Sequence, residues 1–388
     1  MASYAPESAP PQRVHRGDMP PPAWRRIRRI VLFAALLCLV RAGVSLVSAV
    51  SQPSNSSVSI LAVEWLRDNG ARGFVNRVES TYYSLTAPAK GGPGLLALPT
   101  QPDATAAAIR ARRASRHYEP PRVRPAIRPA LAGEGVWHAT LAHPGAHPPV
   151  LITSFRTDPN YPRLVAGVAW IDHTQTTAFL YPGRQEPSIA LNRGPMEVPL
   201  RLRPRLVATF NSGFKLADSG GGFAVGGQTY VPLKDGIATI VRYRSGRVDV
   251  KGWSGGPNAG PSVLFARQNL PLIVNHGRPN PNLADGPEWG ATLGNAIRVW
   301  RSGVGVDRHQ NLIYAAANEQ TVGSLAAILI RAGAVRAMEL DINSYWTSFI
   351  TYRQPGAGVP ANLLAAMVRP PSRYLTPDDR DFFAVYRK

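Results

Sequence analysis

The hydrophobic positions follow three patterns in succession along the chain. An almost unbroken apolar run covers Ile30–Val40 and continues more weakly to Val50. Between residues 58 and 86, apolar side chains recur three and four positions apart, which predicts helices with a break at Asn69-Gly70. From Gly133 onward, short β-rich runs alternate with turn residues. This order predicts an N-terminal transmembrane helix, then a helical segment, then a strand-rich domain.

Eight segments of the third region predict β-strands, because they are short, rich in apolar residues and bounded by turn residues. They are Val150–Phe155, Leu164–Ile171, Leu206–Phe210, Gln228–Val231, Gly236–Tyr243, Arg247–Val250, Ile297–Trp300 and Leu312–Ala316. One helix is predicted over Gly323–Arg331, because its apolar run ends at Ala332-Gly333, a typical C-cap. A further strand follows at Val335–Ile342. Many strands and few helices predict an α+β domain with a mixed sheet rather than a regular βαβ series.

The arginines before the apolar run indicate its orientation. Four of the five residues from Arg25 to Arg29 are arginine, which is typical of a secretory or anchor signal whose N-terminal side stays in the cytoplasm. We expect an uncleaved single-pass anchor, with the C-terminal domain outside the cytoplasm. Cleavage near Val47-Ser48-Ala49 would instead secrete the protein, and a soluble helix is the third alternative.

Composition along the chain suggests its division into segments. The predicted segments are a disordered basic cytoplasmic tail over 1–29, the anchor or signal over 30–50, a helical stalk over 51–86, a Pro/Ala/Arg-rich linker over 87–132 and the folded domain over 133–388. The long unstructured tail and linker are expected from their proline and small polar residues. Only the last segment is long enough to contain a large core.

Charge and cysteine content narrow the class of protein. The chain of 388 residues has 44 Lys+Arg against 24 Asp+Glu, a formal net charge of +20 that is usual in proteins that bind nucleic acid or anionic membranes. The basic residues are dispersed and the chain carries a membrane signal, so we expect no nucleic-acid partner. The single cysteine, Cys38, excludes an intramolecular disulfide and a thiolate metal cluster. We expect no cofactor and no metal site, and leave open whether a metal assists.

Two glycine-containing motifs follow predicted strands. Phe210–Lys215 ends a strand and precedes several glycines, where the backbone could approach a ligand closely, although a glycine-rich hairpin tip is the simpler interpretation. Arg301–Asp307 places Arg301 at the end of a strand, where its guanidinium could bind a phosphate. An ordinary surface arginine is the alternative.

The third motif alternates apolar and polar residues. In a strand, Glu339, Asp341 and Asn343 would share one face, and side chains two apart lie roughly 6.5–7 Å from each other. Paired carboxylates in a cleft perturb each other's pKa and are used in glycoside hydrolysis. A half-exposed strand with solvated acids is the competing interpretation. His276 is a separate acid/base candidate, because histidine titrates near neutral pH.

In this order and at these intervals, the motifs resemble those of the phosphodiester glycosidase family. Asn211–Phe214 is similar to the family's Asn-Gly-Gly-Phe motif, and Arg301–Gly305 is similar to its Arg-Thr-Ala-hydrophobic-Gly strand. Glu339–Ser344 is similar to its Asn-Leu-Asp-Gly-Gly-Gly-Ser motif, with Glu339 in place of the Asn and Ile342-Asn343 in place of Gly-Gly. A bacterial branch also has a stretch similar to Arg267–Leu270.

The resemblance implies a membrane-anchored extracytoplasmic hydrolase that cleaves a sugar-1-phosphodiester bond in an envelope glycan or glycolipid. We expect Asp341 to be a nucleophile or general base, Glu339 its partner acid and Arg301 the phosphate-binding arginine. The expected substrate-binding residues are Asn211, Gly213, Lys215, Asn343, Trp346 and His276. The departures around Asp341 leave a second hypothesis, a non-catalytic glycan-binding or cell-wall and exopolysaccharide assembly protein that uses the same cleft.

Overall fold

The structure is a computed structural model that describes residues 23–99, 118–140, 147–284, 289–290 and 298–388. Most of the predicted tail, part of the predicted linker and the first residue of the predicted strand at Ile297–Trp300 lie outside the described residues. Contacts divide the described chain into two units. The first contains residues 23–53 and 58–65, and the second contains residues 54–57 and 66–388.

The first unit is helical. Helix α1 covers Ala23–Ser51 and α2 covers Val58–Leu66, whose last residue belongs to the second unit. The most apolar 18-residue window of α1 has a mean hydropathy of 2.5 and no residue buried within the protein, so α1 is long and apolar enough to cross a membrane or to act as a signal. Helix α1 includes the arginines at positions 25–29, which the predicted division assigned to the tail.

The helices of the second unit are few. A π-helical turn at Arg67–Ala71 leads into α3 at Arg72–Leu85, and Gly70 in that turn has φ +91°, which confirms the predicted break. The other helices are α4 (Leu216–Ser219) and α5 (Val322–Arg331), with 3₁₀ turns at Leu200–Arg205, Pro355–Ala357 and Arg373–Leu375. The predicted helix at Gly323–Arg331 is therefore confirmed as α5. It begins with a capping box between Thr321 and Ser324.

Among the residues that the structure describes, the second unit has eighteen strands. They are β1 (His138–Ala139), β2 (Val150–Asp158), β3 (Tyr161–Ile171), β4 (Thr176–Tyr181), β5 (Leu206–Asn211), β6 (Phe223–Val225), β7 (Gln228–Val231), β8 (Ala238–Tyr243), β9 (Val248–Gly252), β10 (Val263–Gln268), β11 (Leu272–Asn275), β12 (Arg278–Pro279), β13 (Val299–Val306), β14 (Leu312–Gln320), β15 (Arg336–Glu339), β16 (Phe349–Gln354), β17 (Gly358–Asn362) and β18 (Phe382–Arg387). Each of the eight predicted segments overlaps one of these strands.

The strands form three antiparallel sheets. The first has the order β1-β2-β3-β14-β13-β15-β11-β12, the second β7-β6-β10-β8-β9 and the third β17-β16-β5-β18-β4. Few helices beside three sheets confirm the predicted α+β class. Strand β13 extends beyond the predicted Trp300 through a segment that contains glycines. A Cβ on Gly305 would lie 2.5 Å from the carbonyl oxygen of Arg336, so the close pairing of β13 with β15 requires a residue without a side chain.

Both faces of the first sheet are buried. One face packs in a core that also includes the aromatic side chains Phe210, Phe265 and Phe383 of the other two sheets. The opposite face is covered by α5, whose Leu325 and Leu329 have no exposed surface. The third sheet meets the first at Asn211, the last residue of β5, whose side chain lies 3.0 Å from the Ser302 hydroxyl of β13. Next to Ser302, Gly303 pairs with Glu339, the last residue of β15.

Candidate functional site

Asn211 links the end of β5 to β13. Its side-chain Nδ2 donates to the carbonyl of Ser212 at 2.9 Å and to Oγ of Ser302 at 3.0 Å. Its Oδ1 accepts from the Tyr314 hydroxyl at 2.8 Å and from the backbone N–H of Ser348 at 3.0 Å. The amide is 2% exposed and all four of its hydrogen-bonding positions are used within the protein. Asn211 therefore orients the site rather than presenting a free amide to a ligand.

Packing requires a glycine two residues after Asn211. A Cβ on Gly213 would lie 2.9 Å from Cγ of Asn269, and the side chain of Asn269 accepts a hydrogen bond from the backbone N–H of Phe214 at 3.2 Å. Asn269 also donates to the carbonyl of Glu339 at 2.8 Å. The stretch Arg267–Leu270 thus connects the loop after β5 with the end of β15.

The third motif is only partly a strand, contrary to prediction. Strand β15 ends at Glu339, and Asp341 and Asn343 lie in the loop that follows. There the Asp341 carboxylate accepts from the backbone N–H of Asn343, and the Asn343 side chain accepts from the backbone N–H of Tyr345, both at 2.9 Å. These side-chain bonds to nearby N–H groups replace ladder bonds and end the strand. The shared face predicted for Glu339, Asp341 and Asn343 is therefore wrong.

Each of the two carboxyl groups contacts its own arginine. Asp341 Oδ2 accepts from Arg380 at 2.8 Å, and Glu339 Oε1 accepts from Arg301 at 2.5 Å. Glu339 has no exposed surface and Asp341 is 5% exposed. Burial raises the pKa of Glu339 to about 7, although the guanidinium of Arg301 acts in the opposite direction. Its Oε2 is buried and makes no hydrogen bond with any described residue.

Arg301 lies inside β13 and its donors are engaged. Besides Glu339, its guanidinium donates to the carbonyl of Gln320 at 3.0 Å and to that of Trp289 at 3.2 Å, and the residue is 6% exposed. It therefore does not lie at a strand end, as the motif suggested. Arg380, whose guanidinium also lies 3.5 Å from the carbonyl of Gly213, is the arginine beside Asp341.

Trp346, in the loop after Asn343, is buried beside arginines. Trp346 is 3% exposed, and the guanidinium carbons of Arg369, Arg373 and Arg380 lie 5.7, 5.3 and 5.2 Å from its ring centroid. These distances are typical of cation–π contacts. In this structure the indole supports the arginines and leaves no open face for a sugar.

The two remaining predicted residues are Lys215 and His276. The ammonium of Lys215 contacts both oxygens of Asp68, at 3.1 and 3.2 Å. His276 is exposed in the turn between β11 and β12, next to Gly277, whose N–H donates to the carbonyl of Val335. Val335 precedes β15 and Glu339 ends it, a separation of roughly 13 Å along the strand. The structure thus brings Asn211, Gly213, Arg301, Glu339, Asp341, Asn343 and Trp346 together and places His276 apart.

Several residues of the site were not found from the sequence. Arg380 and its neighbours Asp378, Asp379 and Asp381 immediately precede β18, and all four are buried. Asp381 contacts the guanidinium of Arg267 at 2.9 Å. The available signal was a run of four charged residues directly before a strand that is apolar at nearly every position. No group of three or more His, Cys, Asp or Glu side chains able to hold a metal occurs among the described residues.

Comparisons with known proteins give distant structural likeness only. No protein-family model and no curated protein sequence matches the chain. The catalytic domain of zebrafish N-acetylglucosamine-1-phosphodiester α-N-acetylglucosaminidase, auto-inhibited by its pro-peptide, is similar at 14% identity and a TM-score of 0.43, over 65% of this chain and 87% of that domain. A hypothetical protein of Synechocystis is similar at 15% identity and a TM-score of 0.38, over 62% of each chain. An exported protein of Burkholderia pseudomallei K96243 is similar at 12% identity and a TM-score of 0.33, over 59% of this chain and 75% of that one.

Proposed function

We propose that the protein is a membrane-anchored, extracytoplasmic hydrolase that cleaves a sugar-1-phosphodiester bond in an envelope glycan or glycolipid. One observation carries the proposal: two buried carboxyl groups, two residues apart, each contact a separate arginine at the junction of two sheets. Hydrolysis of a glycosidic bond uses two carboxyl groups with different protonation. An arginine next to one of them supplies the charge that an anionic phosphodiester requires.

In this proposal Asp341 acts on the anomeric carbon. As a nucleophile it would attack that carbon directly, and as a general base it would take a proton from an attacking water. In either case the bond between the anomeric carbon and the phosphate oxygen breaks, and its electron pair leaves with the phosphate. Glu339, with a pKa raised to about 7 by burial, is the partner acid that can supply a proton to that oxygen.

Arg380 takes over the phosphate-binding role in this proposal. Its guanidinium already contacts Asp341, whereas Arg301 is held by Glu339 and two carbonyl groups. Arg301 then becomes the residue that positions Glu339, and its charge opposes the rise in pKa that burial causes. Asn211 is a positioning residue, since it contacts Ser302, whose hydroxyl donates to the carbonyl of Asp341 at 2.7 Å.

A second function is favoured by the burial of the same groups. Asp341 and Glu339 expose 5% and 0% of their surface, so neither is open to a substrate in this conformation. A glycan-binding or assembly protein without catalysis would tolerate such burial of the two carboxyl groups. The two functions differ in product: a binder keeps its ligand uncleaved.

The experiment uses the full chain in detergent micelles. It is incubated with methyl phosphodiesters of α-glucose 1-phosphate and N-acetyl-α-glucosamine 1-phosphate, and free sugar and methyl phosphate are measured beside equilibrium binding. Release of both products in equal amounts supports the hydrolase. Saturable binding with quantitative recovery of intact phosphodiester supports the binding protein and contradicts the hydrolase.

A further inference from the structure

A short segment near the N-terminal end of the second unit occupies a buried polar cluster. We call residues 54–57 the strap; its sequence is Ser-Asn-Ser-Ser. The cluster consists of Arg369, Arg373, Asp378 and Asp379, each at most 3% exposed. Both belong to the same unit. The strap is half-buried over most of its length, so its contacts with the cluster are largely shielded from water.

Each contact involves a hydroxyl or an amide of the strap. The hydroxyls of Ser54 and Ser56 both donate to Oδ2 of Asp379, at 2.5 and 2.6 Å. The carboxamide of Asn55 donates to Asp378 at 3.0 Å and accepts from Arg369 at 2.7 Å. The strap is therefore held by charged groups that bind uncharged hydroxyl and amide groups.

These are the contacts that a sugar makes. One carboxylate oxygen that accepts from two neighbouring hydroxyls, beside a guanidinium that donates to an amide oxygen, is complementary to the hydroxyl and acetamido groups of a hexosamine. Three uncharged side chains of the strap present the same set of donors and acceptors. A peptide of this composition can thus occupy a site built for a polyhydroxylated ligand.

The strap leaves some hydrogen-bonding positions of the cluster unused. Oδ1 of Asp379 and Nε of Arg369 are buried and make no hydrogen bond to any residue that the structure describes. The nearest cation to Oδ1 of Asp379 is Arg184, at 3.7 Å. Buried charged groups with unused hydrogen-bonding positions are costly, and a ligand with more hydroxyls would satisfy them.

The cluster is continuous with the proposed reaction centre. Asp378 accepts from the backbone N–H of Arg380 at 3.0 Å, and the side chain of Arg380 contacts Asp341. Arg373 binds Asp378 through two hydrogen bonds of 2.8 and 2.9 Å and donates to the carbonyl of Trp346 at 2.8 Å. Asp379 of the cluster directly precedes Arg380 in the chain, so a sugar bound by the cluster would lie near the arginine assigned to the phosphate.

We propose that the Arg369–Asp378–Asp379 cluster is the subsite that binds the hydroxyl groups of the sugar, and that the strap occupies it until a ligand displaces it. The assignment rests on the proposed function for the identity of the ligand as a sugar phosphodiester. Apparent affinity is then reduced by the fraction of molecules in which the strap is bound. Weakening the strap must strengthen ligand binding, although the strap touches no bound ligand.

The first test measures the dissociation constants of the two methyl phosphodiesters for the full chain in micelles by calorimetry. The double variant Ser54→Ala/Ser56→Ala removes both hydroxyls from Asp379 and should bind at least about tenfold more tightly than the unaltered chain. The matched control is Ser51→Ala, an exposed serine three positions upstream, which should leave the dissociation constant unchanged. Equal affinities for the double variant and the unaltered chain, or no binding to either, overturn the subsite.

The second test needs no variant. The backbone N–H of Ser56 donates to Ser54 at 2.9 Å and that of Ser57 donates to the Tyr345 hydroxyl at 3.2 Å, so both amides should be protected from hydrogen exchange. Saturation with a methyl phosphodiester should accelerate their exchange. Unchanged or increased protection at saturation overturns displacement. Binding with displacement but without cleavage would retain the subsite and refute the hydrolase, whereas cleavage without displacement would do the reverse.

Discussion

Replacing Glu339 by Gln should change the pH dependence of the free energy of unfolding. Glu339 is fully buried, and its burial raises the carboxyl pKa from 4.5 to about 7. Gln keeps the shape and can still accept from Arg301, but it does not titrate. The difference between the unaltered chain and Glu339→Gln therefore isolates the ionisation of this one group.

The sign follows from the protons that each state binds. Between pH 4.5 and about 7 the folded chain keeps the Glu339 proton that the unfolded chain has lost, so rising pH favours unfolding. At about 1.4 kcal/mol per pH unit, this interval corresponds to a loss of about 3 kcal/mol. Below 4.5 both states are protonated, and above about 7 both are ionised, so the difference should be constant outside the interval.

The assay is urea unfolding of the full chain in detergent micelles, followed by tryptophan fluorescence from about pH 4 to about pH 8. We expect the stability of the unaltered chain, relative to Glu339→Gln, to fall by about 3 kcal/mol across this range. A matched control is Glu134→Gln, because Glu134 also has no exposed surface and also pairs with an arginine, Arg156. A Glu339 difference that stays constant with pH, or rises with it, would refute the raised pKa.

The control should behave differently because of its hydrogen bonds. Burial alone would raise the pKa of Glu134, but two side-chain bonds from Arg156, at 3.0 and 2.9 Å, and backbone N–H donors lower it overall. Its stabilisation is present above pH 4.5 and is lost as pH falls through its lowered pKa. The Glu134→Gln difference should therefore be flat near neutral pH and change only in acid.

Further predictions concern the scaffold. Gly305→Ala should destabilise the fold by about 1–3 kcal/mol, because its Cβ would lie 2.5 Å from the carbonyl oxygen of Arg336. The control Gly323→Ala, whose Cβ would lie 3.8 Å from its nearest atom, should be neutral or stabilising in the same urea assay. Equal unfolding midpoints for the two variants would contradict the close pairing of β13 with β15. Thr321→Ala should cost about 1 kcal/mol, because it removes the hydroxyl that accepts from the N–H of Ser324 at the start of α5. An unchanged unfolding midpoint would mean that this cap contributes nothing.

The sequence was sufficient to predict regular elements that local patterns define. Strand β7 was predicted with the bounds that the structure shows, and α5 within one residue, because alternation and helical spacing are short-range signals. The break before α3 was predicted from Asn69-Gly70 for the same reason. The pairing order of the three sheets has no local signal, since neighbours such as β3 and β14 are far apart in the chain.

The candidate site was predictable only in part, because its ion pairs join distant positions. Asn211 and Asp341 are joined through Ser302, a contact between motifs that are far apart in the chain. Arg380 was missed because the run of charged residues around it does not indicate that it contacts a carboxylate 39 residues earlier. The strand predicted over Val335–Ile342 is too long, because the alternation of apolar and polar residues continues beyond the end of β15. That alternation cannot reveal that the Asp341 side chain accepts from the N–H two residues ahead.

The measurement closest to the central claim is turnover of a sugar-1-phosphodiester by the full chain and by Asp341→Asn, in the same micelles. Asp249→Asn is the matched control, because that carboxylate also pairs with an arginine, Arg336 at 2.6 Å, but lies in β9 and outside the proposed reaction centre. We expect Asp341→Asn to lower kcat by about a thousandfold or more and Asp249→Asn to retain it. Turnover by Asp341→Asn at the rate of the unaltered chain would contradict the proposed function.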